Sequence, residues 1–146
     1  MAVTANQIVR RRGRDGHIRK VPVAASTTLY EGTLCYEDAG GDFVGVILEN
    51  GAFGGIVRET VDNSAGADGD KFAEVWTDGD FLLTCSAASL LKADVGKTVA
   101  GVDNAQVSET LTDSPLVGII TEFVSTTQAW VSIKGLGEGD TGELAT

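Results

Sequence analysis

"SPLVGIITEFVSTTQAWVSIKG" (residues 114–135) settles the class of fold. Two runs rich in β-branched and aromatic residues, 117–124 and 129–134, flank a polar turn at 125–128. That composition suits a pleated, half-buried surface, so the stretch reads as two closing strands. Upstream, "TVAGVDNAQVSET" (residues 98–110) reads as a hairpin turning at Asp103 and Asn104. "KFAEVWTDGDFLLTCS" (residues 71–86) reads as another, with arms at 71–77 and 81–86 and Asp78-Gly79 as its turn.

Further out, "FVGVILEN" (residues 43–50) is apolar and bounded by turns, which predicts a buried strand. "IRKVPVAASTTLYEGTLCYE" (residues 18–37) is strand material with a turn at Glu31-Gly32. "DAGGD" (residues 38–42) is a turn and "SAGADGD" (residues 64–70) a loop. "GAFGG" (residues 51–55) reads as a flexible link, after which residues 56–63 resume the extended pattern. One helix is predicted, "AASLLKADVGK" (residues 87–97), capped by Ser86 or Ser89 and ended by Gly96. No strand alternates with a long helix, which argues against a doubly wound α/β fold. The expected fold is mainly β: a compact β-barrel or β-sandwich with one short helix and an extended N-terminal arm.

The 146 residues suit one β-rich domain over residues 21–135, between a basic arm at 1–20 and a Gly-rich, acidic tail at 136–146. No stretch reaches the roughly 18–20 apolar residues that span a bilayer. No apolar run follows the basic N-terminus as in a secretory signal, so synthesis in the cytoplasm is expected. Cys35 and Cys85 stand apart in strand-like runs and read as two buried free thiols. Trp76 and Trp130 are assigned to core strands.

Charge is unevenly placed. Residues 1–20 hold Arg10, Arg11, Arg12, Arg14, Arg19 and Lys20 against Asp15 alone, a balance of +5, while the remainder carries five bases and 20 acids, or −15. An acidic body repels nucleic acid and anionic membrane, so any phosphate-binding role is confined to the arm. Arginine grips carboxylate as well as phosphate. The arm has no aromatic residue on which single-stranded bases could stack. A protein partner is therefore preferred, with the six basic residues lying across an acidic strip. Deleting residues 2–20 is then expected to weaken attachment and leave the body folded.

Catalytic constellations are thin. His17 is the single histidine and sits among arginines in a Gly-interrupted arm, a poor setting for a triad that needs burial and a fixed orienting partner. One His and two separated Cys make no zinc set. Asp68/Asp70 and Asp78/Asp80 form Asp-Gly-Asp pairs that lack the remaining ligands of an EF-hand. They are read as turn chemistry, with a weak calcium site as the lesser alternative. "GAFGGIV" and "DVGKT" fail the spacing of phosphate-binding loops. No enzyme activity, metal or cofactor is expected.

Taken together, "STTLYEGTLCYED", "VGVIL", "DGDFLLTC", "LLKADVGKTVAGVDNAQVS" and "LVGIITEFVSTTQAWVSIKG" resemble, in order, the layout of tailed-bacteriophage head decoration proteins, or capsid cement proteins. The resemblance covers residues 21–135 and rests on strands, glycines and one short helix, without a catalytic motif. The basic arm has no counterpart in it. It implies a small β-rich domain, often a homotrimer, made in the host bacterial cytoplasm and bound to the outer capsid surface of the virion. Its partner there is the major capsid protein, and it stabilises junctions between capsomers. The alternatives are a nucleic-acid-binding protein using the arm, another phage head or tail structural component, and a glycan or host-surface binder.

Overall fold

The computed structural model describes residues 3–7, 9–12, 17–47, 51–110 and 114–135. In chain order its strands are β1 (Arg11–Arg12), β2 (Ile18–Pro22), β3 (Thr27–Leu29), β4 (Leu34–Glu37), β5 (Phe43–Val44), β6 (Ala52–Val57) and β7 (Val61–Asn63). They continue as β8 (Phe72–Trp76), β9 (Asp78–Cys85), β10 (Thr98–Gly101), β11 (Gln106–Ser108), β12 (Leu116–Phe123) and β13 (Gln128–Lys134).

The closing hairpin forms as the sequence predicts. β12 and β13 pair antiparallel, and Ala129, Val131 and Ile133 alternate inward along β13 with the period of two that a strand imposes. β13 pairs along β9, β12 along β10, and β10 forms the expected hairpin with β11. β11 then returns parallel to β9 through Gln106–Thr84 and Val107–Cys85. The ring β9-β11-β10-β12-β13 is thereby closed into a five-stranded barrel, which removes sheet edges. Phe81, Leu83, Val99, Val107, Val117 and Val131 are among the side chains that fill its core.

A second sheet, in the order β2-β8-β6-β4-β5, curls through an isolated parallel bridge between Val23 and Phe43. Along β4 the side chains part company: Leu34 and Tyr36 join the barrel core, while Cys35 joins a second core with Val21, Val23, Phe43, Val57, Ala73 and Val75. The ribbon β3–β7 adds Leu29 to that second core. Tyr36 is fully buried, and its hydroxyl donates to the Asp103 carbonyl at 2.8 Å, tying the second sheet to the β10–β11 turn.

Several expectations are corrected. Asp78-Gly79 does not turn a hairpin: β8 pairs with β2 and β6, whereas β9 pairs with β1, β11 and β13. The cause lies in the cores. Ala73 and Val75 of β8 enter the second core, while Phe81, Leu83 and Cys85 of β9 enter the barrel, so the chain crosses between sheets at Thr77. "GAFGG" is not a free link, because β6 runs through it. A Cβ on Gly54 would lie 2.5 Å from the Phe43 ring, and one on Gly55 only 2.3 Å from the Trp76 carbonyl. Its glycines serve close packing.

The predicted helix over 87–97 is reduced to a 3-10 turn at Lys92–Asp94, with Leu91 rather than a serine at its start. A chain segment this short has little helical stability of its own, and Asp94 accepts the Leu91 N–H at 2.9 Å instead. Of the strand expected over 43–50, β5 covers Phe43 and Val44, Val46 is exposed, and residues 48–50 lie outside the described residues. The tail at 136–146 also lies outside them. Trp76 and Trp130 sit in strands but are half-buried.

Candidate docking face

The arm is extended, and its described parts are built into the body. Gln7 N–H donates to the Glu31 carbonyl at 2.6 Å, and Leu82 N–H donates to the Arg10 carbonyl at 2.9 Å. β1 pairs Arg11 with Phe81 and Arg12 with Asp80. β2 is a full strand of the second sheet, with Val21 buried in its core. Deletion through residue 20 therefore removes strand, not a dispensable tether, which counts against the expectation of an intact body.

Strand register divides the basic residues between surfaces. Ile18, Lys20 and Pro22 lie opposite Trp76, Glu74 and Phe72, so these six share one face of the sheet. Ile56 of β6 pairs with Trp76, and the Arg58 N–H donates to the Glu74 carbonyl, which puts Arg58 on that face too. The Arg11 guanidinium lies 4.0 Å from the centroid of the Trp76 ring, and that of Arg58 lies 5.1 Å from it. Arg58 also pairs with the Glu74 carboxylate. Arg19 is exposed on the reverse face, opposite Val75. The side chain of Arg12 and all of Arg14 lie outside the described residues.

The face is both apolar and cationic. Ile18 is 42% exposed and Phe72 58%, beside a half-buried indole held between the chain's own basic groups. Cations close to an aromatic face contribute about 0.5–1 kcal/mol at exposed sites and fix the ring's orientation. Among the described residues, Arg10, Arg19 and Lys20 make no ion pair. Arg58, Ile18 and Phe72 were not singled out by sequence reasoning, and Trp76 was assigned to the core rather than to an exposed face. Their period-two placement in "IRKVP" and "FAEVW" was visible, but the shared face depends on the register between β2 and β8.

Arg10 points elsewhere. It lines a cleft of about 220 Å³ between the N-terminal segment and the barrel, with Gln7, Leu34, Leu83, Asn104 and Gln128. Arg10 is the one ionisable residue among the described residues lining the cleft, so no acid–base pair meets there.

The remaining candidates are engaged in structure. Asp70 accepts the Ala67 N–H at 2.9 Å, as a turn carboxylate does, whereas Asp68 accepts the Ala25 N–H at 2.8 Å from a distant loop. Asp78 accepts the His17 N–H at 2.7 Å and approaches His17 Nδ1 at 3.2 Å. Cys35 and Cys85 are buried free thiols, and burial pushes them up to about 12 and about 11, away from nucleophilic thiolate. No protein-family model, curated protein or solved structure matches the chain.

Proposed function

We propose that this protein is a non-catalytic binding module that attaches to the outer surface of an icosahedral phage head and stabilises the junctions between capsomers. Its partner is the major capsid protein, and it works as a homotrimer. The observation that carries this reading is the Trp76 face, where exposed Ile18 and Phe72 adjoin Arg11, Lys20 and Arg58 on paired strands. Apolar anchors beside arginine and an aromatic ring are what protein interfaces concentrate. The order of strands and glycines that resembles decoration proteins supplies the identity of the partner.

The chemistry required is association alone. Each Å² of apolar surface removed from water contributes roughly 25 cal/mol, against which association entropy weighs heavily. Repetition over many junctions lets a modest net gain per copy oppose pressure from within the shell.

The test is quantitative mass spectrometry of the native assembly that carries the protein, with and without nuclease. Nuclease-resistant association with a shell protein, near one copy per shell subunit, is the expected result. Association lost on nuclease treatment, with no shell protein present, would instead assign Arg10, Arg19 and Lys20 to phosphate binding and overturn the proposal.

A further inference from the structure

Strand β9 changes partners along one of its edges. β13 lies along the other edge from Asp78 to Thr84. On the first edge β1 pairs antiparallel at Asp80 and Phe81, and Leu82 N–H donates to the Arg10 carbonyl. β11 pairs parallel at Thr84 and Cys85, and Ser86 N–H donates to the Val107 carbonyl. Cys85 N–H, one residue away, donates to the Thr127 carbonyl on the β13 side. The N–H and C=O groups of successive strand residues point to opposite edges, so β1 and β11 share one edge. β1 is antiparallel to β9 and β11 parallel to it, so both start beside Leu83 and run apart. The chain entering each strand leaves the sheet there, and the two departures open the cleft of about 220 Å³ at Arg10.

Both walls are fixed. Asn104, 3% exposed, grips Val3 as a paired strand would: Val3 N–H donates to Asn104 Oδ1 at 2.8 Å, and Asn104 Nδ2 donates to the Val3 carbonyl at 3.0 Å. Gln7 N–H donates to the Glu31 carbonyl, and Asp103 Oδ1 accepts the N–H groups of Ala105 and Gln106 at 2.8 and 2.9 Å. A cleft held this way exists before a ligand arrives, which lowers the cost of binding. Its lining is mixed. Val9, Leu34, Leu82 and Leu83 are apolar, and Leu34 and Leu83 belong to the barrel core. Arg10 is cationic, and among the described residues no acid lines the cleft. Thr84 and Gln128, opposite each other on β9 and β13, add a hydroxyl and an amide.

These features select a ligand. A guanidinium receives a carboxylate through two parallel N–H bonds. A phosphate or a dicarboxylate would bring a second charge and meet no second base among the described lining residues. Four apolar side chains call for a hydrocarbon chain in its place. The volume lies below the roughly 300–1,000 Å³ that hold drug-sized molecules, so that chain is short. The net charge of −10 opposes anions in general, so binding depends on this one arrangement. We propose that the cleft binds a small monocarboxylate with a chain of about four to six carbons. Its carboxylate lies on Arg10, and its chain packs against Val9, Leu34, Leu82 and Leu83. This role goes beyond attachment to a shell and does not depend on it.

Amide NMR spectra of the full chain, titrated with hexanoate, test the proposal. Saturable shifts are expected at Leu82, Leu83, Thr84, Ala105 and Gln128, with the rest of the spectrum unmoved. Arg10→Gln keeps the backbone bond to Leu82 and should weaken hexanoate by about tenfold, as loss of a charged hydrogen-bonding partner does. Hexan-1-ol has the same chain without the charge, so it should bind the parent and Arg10→Gln alike. Ala105→Leu, which fills the cleft and keeps Arg10, should bind neither. Unshifted resonances away from the cleft report that each variant is folded. Absence of saturable shifts with hexanoate would overturn the proposal, as would equal hexanoate affinity in the parent and Arg10→Gln, or binding retained in Ala105→Leu. Shifts gathered at Arg19, Lys20 and Arg58 instead would mark general attraction of an anion and overturn it too. None of these results bears on whether the protein binds a shell.

Discussion

Removing residues 2–20 separates two roles of the arm, as a carrier of charge and as a piece of the fold. The truncation takes the carbonyl of Arg10 from Leu82 N–H and that of His17 from Thr77 N–H. It also removes the bonds that Arg19 exchanges with Val75 in the β2–β8 ladder. With the Gln7–Glu31 bond and the Arg12–Asp80 pairing lost as well, these four backbone hydrogen bonds at about 1 kcal/mol each set a loss of at least about 4 kcal/mol before any change in burial. Against a total near 5–15 kcal/mol for a domain, that is a large fraction. The comparison is R10Q/R11Q/R19Q/K20Q, which keeps the backbone. It forfeits the Arg11–Trp76 contact, about 0.5–1 kcal/mol, and otherwise alters exposed side chains that contribute little. Urea unfolding followed by tryptophan fluorescence should place the truncated chain at least about 4 kcal/mol below the parent and the charge variant about 1 kcal/mol below. Both should bind shell protein poorly, but only the charge variant does so while well folded. A truncated chain within 1 kcal/mol of the parent would refute the structural role of the arm.

Two other predictions follow from the barrel. A Cβ on Gly118 would lie 2.1 Å from the Ser132 carbonyl of the paired strand, whereas one on Gly79 meets nothing closer than 3.4 Å but inherits a φ of +120°. Gly118→Ala should therefore cost about 3 kcal/mol by forcing β12 from β13, and Gly79→Ala about 1–2 kcal/mol through backbone strain alone; urea titration yielding the reverse order would refute the steric account. Beside the 3-10 turn, burial and a hydrogen bond with Asp94 hold the Glu109 carboxyl above its ordinary range, and Glu109 Oε2 is buried without a partner. A raised carboxyl stabilises the fold below its unfolded pKa, and that contribution is lost as pH rises through the folded value. Glu109→Gln should thus melt above the parent at pH 7, with the gap closing as pH falls through the glutamate range; a gap that widens in acid would contradict this.

What could be seen in the sequence was local. The β12–β13 and β10–β11 hairpins were legible because each strand pairs with its neighbour in sequence across a polar turn. The Asp78-Gly79 pair carried an equally strong local signal and was misread. Which strand β8 or β9 pairs with depends on the core that Val75 and Phe81 enter, a matter of distant partners. The glycines of β6 looked like flexibility because Phe43 and the Trp76 carbonyl, which require them, lie far along the chain. The basic cluster at 10–20 was plain from composition. Its division between the Trp76 face, the reverse face and the cleft was not, since one residue of register moves a side chain across the sheet.

That division also changes what the arm can contribute to binding. A disordered basic tail must lose conformational entropy when it docks, at about 1–2 kcal/mol for each backbone residue fixed. Arg11, Arg19 and Lys20 stand on strands already paired with β9 and β8, so folding has met that cost before any partner arrives. Arg11 is further restrained over the Trp76 ring. Their charges therefore act as a fixed pattern, and displacement by one residue would put Lys20 on the reverse face and Arg19 beside Trp76. A partner matched to this pattern must present carboxylates on two sides of an edge strand and an apolar group near Ile18 and Phe72. Phosphates spaced along a nucleic-acid backbone meet the first demand in part and the second not at all. The exposed apolar pair, rather than the number of arginines, is what separates the two kinds of partner.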